Sequence, residues 1–366
     1  MVITFATLLA GTAVGLLHAP PWAIASSRLR DEDCACVLSH AELASLTELK
    51  RMAPKAGSEV ADPQSLTIDI GRHTPAGALV TAEGIVLSVG RGRGETFLPW
   101  KFLEKQAKKR RAGAWECWRS TPDDAEDGEQ DPLPARIEGF SELTQRTASL
   151  LPLDGAVPPT AVLGGFNMHR VKDISPKDDT ERKLGALGPR LRGNVLDICT
   201  GLGYTAIGAA ACPAVERVYT IELDPLMVEL QRANPWSEAL FEDYAEVGGG
   251  KITRLLGDAT DILPALPEAA FDACVHDPPA NAMSGELYSC ELYTKIRRCL
   301  RPGAAFFHYV GDPSSKASGR LFKGIGERLR EAGFENVKSS KAAYGISANA
   351  RGTQSGQQLG LLLSEP

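Results

Sequence analysis

Residues 193–211 read GNVLDICTGLGYTAIGAAA. The first seven after Gly193 form a short apolar run rich in β-formers, Gly201-Leu202-Gly203 is a tight turn, and 204–211 is a helix of small residues suited to lying on a sheet. Strand, glycine turn and helix make the first half of a nucleotide-binding βαβ unit. The following strand supports that reading. Residues 217–221 (RVYTI) run into Glu222-Leu223-Asp224-Pro225, and Glu222 stands 25 positions after Asp197, close to the ~20-residue spacing at which an acid on the second strand tip meets ribose hydroxyls. Two further β-type runs end in acids: 251–256 leads into Gly257-Asp258-Ala259, and 271–276 into Asp277-Pro278-Pro279-Ala280. Four polar strand tips on one edge of a parallel sheet make a ligand cleft.

The chain has 366 residues, enough for two domains, and its hydrophobic and charged fractions of 43% and 23% are those of a globular protein. A net charge of −6 gives no overall bias toward nucleic acid. The eight cysteines do not form a disulfide framework: Cys199, Cys212, Cys274, Cys290 and Cys299 fall in the core elements and read as buried thiols. With Cys34-x-Cys36 the one close pair and no zinc spacing, metal binding is not expected.

Residues 1–27 carry no charged side chain other than His18, and the apolar run stops near Pro20-Pro21, short of a ~20-residue span. A transit segment, a hydrophobic anchor and a mis-assigned start codon are all open readings, so the compartment is left between cytoplasm and organelle, with no integral membrane domain. An amphipathic helix is expected over 38–52, strands over 65–70 and 78–88 with a hairpin turn at Glu83-Gly84, and a helix over 98–111 ending in Lys108, Lys109, Arg110 and Arg111. That basic end, with Arg91 and Arg93, reads either as a phosphate-contacting surface or as a solvated helix end. The second is preferred, because aromatic partners are scarce. Residues 114–119 read as an edge strand and 121–134 as a disordered acidic loop. The expected division is a 1–63 extension, a small α+β domain at 64–165 that selects the acceptor, and a core at 166–366.

The order Asp197…Gly201-x-Gly203, Glu222, Gly257-Asp258, Asp277-Pro278-Pro279 resembles the class I methyltransferases that use S-adenosylmethionine. The resemblance covers residues 193–366. It implies a Rossmann-like α/β sheet with helices on both faces, a C-terminal β-hairpin from 336–340 and 343–348, and S-adenosyl-L-methionine as cofactor. It further implies that Asp197 and the Gly201/Gly203 turn, with Thr200 and Tyr204, hold the methionine part. Glu222 would take the ribose, Asp258 with Ala259 the adenine, and Asp277 with Pro278 would flank the transferring carbon. One departure is Cys199, where the family usually has glycine. The strings at 197–207, 234–237, 276–279 and 307–311 are similar to archaeal-type methyltransferase-like proteins sometimes labelled spermine synthase. In that group a Met-His-Arg string like Met168-His169-Arg170 implies a site role for His169 and Arg170; the other reading of His169 is a satisfied structural histidine, with Asp178 capping the next helix.

Methyl transfer needs positioning more than acid or metal, and Asp277 is the candidate base. The sequence resembles the [N/D]-P-P-aromatic motif of amino-group methyltransferases, but position 280 is alanine. Tyr288 or Tyr293 would have to supply a stacking face, so a nucleic-acid acceptor is less favoured than a small molecule. Trp236 reads as a hydrophobic-edge cap rather than an adenine platform. The alternatives are a spermidine synthase-like aminopropyltransferase using decarboxylated S-adenosylmethionine and a non-catalytic scaffold. Oligomeric state is not legible.

Overall fold

A computed structural model of the protein describes residues 34–52, 58–59, 63–90, 92–109, 112–120, 132–241, 250–279, 285–314 and 318–352. The leader, Arg91, Arg110, Arg111, most of the acidic loop and Ala280 lie outside them.

The N-terminal half is built from short antiparallel sheets. Strand β1 (Cys34–Ser39) runs straight into helix α1 (His40–Met52). Ser39 caps it, since Glu42 N–H donates to Ser39 Oγ (3.2 Å) while Glu42 Oε2 accepts the Ser39 N–H (2.6 Å), a reciprocal capping box. Next come β2 (Ser58–Glu59), β3 (Gly77–Val80), β4 (Gly84–Ser88) and β5 (Glu95–Pro99), joined in that order as one sheet, with the expected hairpin between β3 and β4. Residues 65–70 are not a strand. They make a 3-10 turn and an isolated bridge, because Asp69, Ile70 and Gly71 all take positive φ.

Helix α2 (Trp100–Ala107) is shorter than expected: Leu98 belongs to β5 and is fully buried. Strand β6 (Ala114–Trp118) is not an edge strand, since it lies between β1 and β7 (Ala135–Arg136). Thus β1, inside the stretch read as an extension, is part of the domain core. Strands β8 (Glu138–Ser141), β9 (Arg146–Leu151), β10 (Thr160–Leu163) and β11 (Phe166–Asn167) complete this half as a meander.

Helix α3 (Pro176–Gly185) starts with Pro176 after its cap, which is Ser175 rather than Asp178: Ser175 Oγ accepts the Asp178 N–H at 3.1 Å. Then follow β12 (Gly193–Ile198), α4 (Tyr204–Ala210), β13 (Val215–Glu222), α5 (Pro225–Ala233), β14 (Ile252–Leu256), α6 (Ala259–Ala265), β15 (Phe271–His276), α7 (Cys290–Cys299), β16 (Leu300–Tyr309), α8 (Ser318–Glu331), β17 (Phe334–Ser340) and β18 (Gly345–Ala350). The strands make one sheet in the order β14-β13-β12-β15-β16-β18-β17, parallel up to β16 and closed by the antiparallel β17–β18 hairpin. This is the expected α/β architecture. The strand order reverses at β12, flanked by β13 and β15, and that is where an open parallel sheet places its ligand cleft.

The two halves share one apolar cluster. Ile137, Ala148, Leu150 and Ala161 pack with Leu202, Tyr204, Met227 and Leu230. Ser141 and Thr144 hydroxyls donate to Asp224, the cap of α5, at 2.8 and 2.9 Å. All eight cysteines are free thiols. Among the described residues no helix is long and apolar enough to cross a membrane, and no group of acids, histidines and cysteines is placed to hold a metal ion.

Candidate active site

The turn after β12 takes a glycine-like path at three alternate residues. Cys199 has φ 70°, Gly201 54° and Gly203 83°, so the cysteine that stands where the resemblance expects glycine still adopts the left-handed conformation. A Cβ at Gly203 would collide with Leu240, and one at Gly201 would stand 2.8 Å from Met168 Sδ. Methionine 168 therefore lies over the turn, which places the Met-His-Arg string beside it.

Cys199 marks the convergence of the strand tips. Burial pushes its thiol well above the ordinary range, and the fields of Glu222, Asp277, Asp197 and Asp258 push it further. The acids are not equivalent. Asp197 is fully buried, with its oxygens taken by the Thr205 (2.8 Å) and Thr220 (2.6 Å) hydroxyls, and Thr220 also meets Thr200 at 2.6 Å. Asp197 and Thr200 thus form a hydroxyl-linked brace for the turn. Tyr204 is buried too: its hydroxyl donates to the Pro159 carbonyl (2.8 Å) and accepts from Asn234 (2.9 Å). Ala259 and Pro278 are likewise buried.

Glu222, Asp258 and Asp277 retain partial exposure. Glu222 accepts the Gly201 N–H (2.8 Å) and the Asp224 N–H (3.0 Å), one on each oxygen, which leaves lone pairs for hydroxyl donors. Burial, opposed by those amides, raises its pKa to about 7. Burial likewise raises Asp197 to about 7 against its threonine partners. Asp258 caps α6 through Oδ1, which takes both the N–H and the hydroxyl of Thr260 at 2.7 Å.

Sequence reasoning missed the partner of Asp277. Lys183 on α3, with a side chain only 3% exposed, reaches Asp277 Oδ2 at 2.7 Å and Asp179 at 3.0 Å, and lies 4.4 Å from the centre of the Tyr309 ring. Asp179 in turn meets Arg170 at 3.0 Å, whose guanidinium stacks 3.5 Å from the Tyr344 ring and donates to the Ala342 carbonyl. Burial alone would strip the Lys183 proton, but the two carboxylates outweigh it and hold the ammonium charged. Burial raises the Asp277 pKa above the ordinary carboxylate range, and Lys183 pulls it only part of the way back. The only sequence signal was the Asp179/Lys183 i,i+4 spacing, which on its own describes a solvated helix face.

His169 sits at the same corner. Its Nδ1 is 3.0 Å from Thr160 Oγ1 and its ring 5.0 Å from Tyr204. Burial and then the Lys183 ammonium lower its pKa to about 3, so the imidazole is neutral and a feeble proton acceptor at physiological pH. That suits a positioning group, not a general base. Three other aromatic expectations resolve toward structure. Trp236 donates to the Ile70 carbonyl (3.1 Å) and carries the Arg72 guanidinium against its ring, while Tyr288 donates to the Pro279 carbonyl (2.9 Å), the Tyr293 hydroxyl pairs with His308 (3.0 Å), and both tyrosines are buried, so neither of them offers an open stacking face. In the basic region Arg93 is bound to buried Asp69 at 2.7 Å.

No protein-family profile matches the chain. Over 193 residues it is 46% identical to an uncharacterised protein of Methanocaldococcus jannaschii, covering 52% of this chain and 64% of that one. It is 32% identical over 167 residues to polyamine aminopropyltransferase 2 of Streptomyces coelicolor (45% and 28% coverage). It is 29% identical over 163 residues to release factor glutamine methyltransferase of Mycolicibacterium smegmatis (43% and 53%). The chain therefore spans less than two thirds of the length of each of these relatives.

Proposed function

We propose that this chain, a class I methyltransferase-like protein, transfers a methyl group from S-adenosylmethionine to an uncharged nitrogen of its acceptor. Bound in the cleft, the cofactor supplies an electrophilic methyl on a sulfonium. The carboxylates around Cys199 provide a negative field suited to that cation, and Glu222 the hydroxyl acceptors for its ribose. The observation that carries methyl rather than aminopropyl transfer is the Lys183–Asp277 pair. An aminopropyl acceptor arrives as a polycation whose attacking amine must first lose its proton, and that ammonium would approach Asp277 beside a buried ammonium fixed 2.7 Å from that carboxylate. Two like charges ~4 Å apart cost about 4 kcal/mol at an effective dielectric near 20. An uncharged amide or aromatic amine meets no such penalty.

In this reading the acceptor nitrogen donates its N–H to the Asp277 oxygen that Lys183 does not hold. Its lone pair forms the new N–C bond as the S–C electrons return to sulfur, and the proton passes to Asp277 or solvent. In-line positioning of this kind is worth up to about 7–11 kcal/mol. The similarity to a polyamine aminopropyltransferase favours the second reading, aminopropyl transfer from the decarboxylated cofactor. Methyl-labelled S-adenosylmethionine offered to carboxamide peptides, exocyclic-amine nucleosides and diamines, beside decarboxylated cofactor with diamines, separates them. Label on an uncharged nitrogen supports the proposal, and aminopropyl product with diamines overturns it.

A further inference from the structure

We infer that the N-terminal half carries a second ligand site, a pocket for an oxyanion group of the phosphate or carboxylate type, lined by Arg72, His73 and Arg93. These side chains border a cavity of about 460 Å³ whose remaining walls are Thr67, Thr74 and small or backbone surfaces, with no carboxylate among them. The acid that holds Arg93 and His73 is buried outside this lining. Asp69 is fully buried, and its Oδ2 holds both Arg93 Nη1 (2.7 Å) and His73 Nδ1 (2.9 Å), while Oδ1 takes the Val37 N–H (3.0 Å). One buried carboxylate thereby sets the orientation of two cavity-facing groups. Guanidinium carries five N–H donors in a rigid fork, so the contact with Asp69 leaves donors for a ligand. Arg72 is steadied by Glu238 (2.9 Å), the Pro235 carbonyl and the Trp236 ring.

The backbone here is held in a costly shape. Asp69, Ile70 and Gly71 are successive left-handed residues with φ 58°, 56° and 77°, and a β-branched isoleucine in that region is uncommon. Strain of this kind survives where its surroundings over-determine it. Glu42 supplies part of that determination, since its Oε1 accepts the Gly71 N–H at 2.9 Å. The turn carries Asp69 inward and leaves Arg72 and His73 on the cavity wall. Gly71 packs its bare Cα against Ala156, and Gly90, also left-handed at φ 69°, faces Ala76, so both glycines serve the close packing of the cavity wall. The site is independent of the cofactor cleft, so it is tested without cofactor.

Inorganic phosphate and succinate are titrated separately by calorimetry into the full chain, at constant ionic strength set with chloride. Saturable binding of one or both is expected, at least tenfold weaker in Arg93→Lys, which keeps the charge but loses the fork, and in Arg72→Met. Circular dichroism melts verify that each variant is folded. Tighter phosphate supports a phosphate-bearing ligand and tighter succinate a carboxylate. Binding of neither, or binding unchanged in the folded variants, overturns the site.

Discussion

Asp197 and Asp69 are both fully buried, one in each half of the molecule, yet their surroundings differ in kind. Asp197 is met by two threonine hydroxyls, and burial lifts its pKa to about 7. Asp69 is met by a guanidinium and an imidazole, as Asp277 in the cleft is met by the Lys183 ammonium. Neutral donors stabilise a buried carboxylate without cancelling its charge, so it titrates near neutrality. A fixed cation cancels the charge and turns the carboxylate into a brace. The cleft combines both designs: acids met by neutral donors at β12 and β13, and an acid held by an ammonium at β15.

The sharpest way to break this contrast is to remove the cation. Lys183→Met leaves Asp179 and Asp277 without their shared buried ammonium, and the loss should be about 3–5 kcal/mol in urea unfolding. The Lys183→Met/Asp277→Asn double variant should recover part of it. A single-variant loss under about 1 kcal/mol would show that the pair does not brace the cleft.

The titratable pair gives a smaller effect of defined sign. Asp197 and Glu222 have folded pKa values of about 7, above the ordinary 3.8 and 4.5. The folded state therefore holds more protons than the unfolded one between those limits. Their contribution is complete below about pH 4 and is lost as pH rises toward and through 7. Glu222→Gln should flatten that decline in melting temperature between pH 5 and 8. Cofactor affinity should move the other way, strengthening as Glu222 ionises near 7, and a profile with no inflection there would remove Glu222 from the ribose site. The smallest effect lies in the N-terminal half: Ser39→Ala breaks the capping box under Glu42 and should cost about 1 kcal/mol in chemical denaturation.

Much of the C-terminal half was legible because its signals are local. Glycine turn, strand and acid fall within one stretch, and the spacing to Glu222 anticipated the β12–β13 pair. The hairpin after α8 was also legible, though its strands start or end a few residues from their expected bounds. Lys183 was not, because its meaning depends on Asp277, 94 positions away, and on the Tyr309 ring beneath it. The N-terminal half was read poorly for the same reason. β1 pairs with β6 across the chain, and the left-handed run at 69–71 contains only one glycine to announce it. Trp236 and Tyr204, plausible ligand contacts by position, are tied by hydrogen bonds that join the two halves.

The measurement closest to the central claim is calorimetric titration of the full chain with S-adenosylmethionine and, separately, its decarboxylated form, each beside Glu222→Ala. Micromolar binding of S-adenosylmethionine, lost in the variant and tighter than that of the decarboxylated form, is the predicted result. Absence of binding, or clear preference for the decarboxylated form, would contradict it.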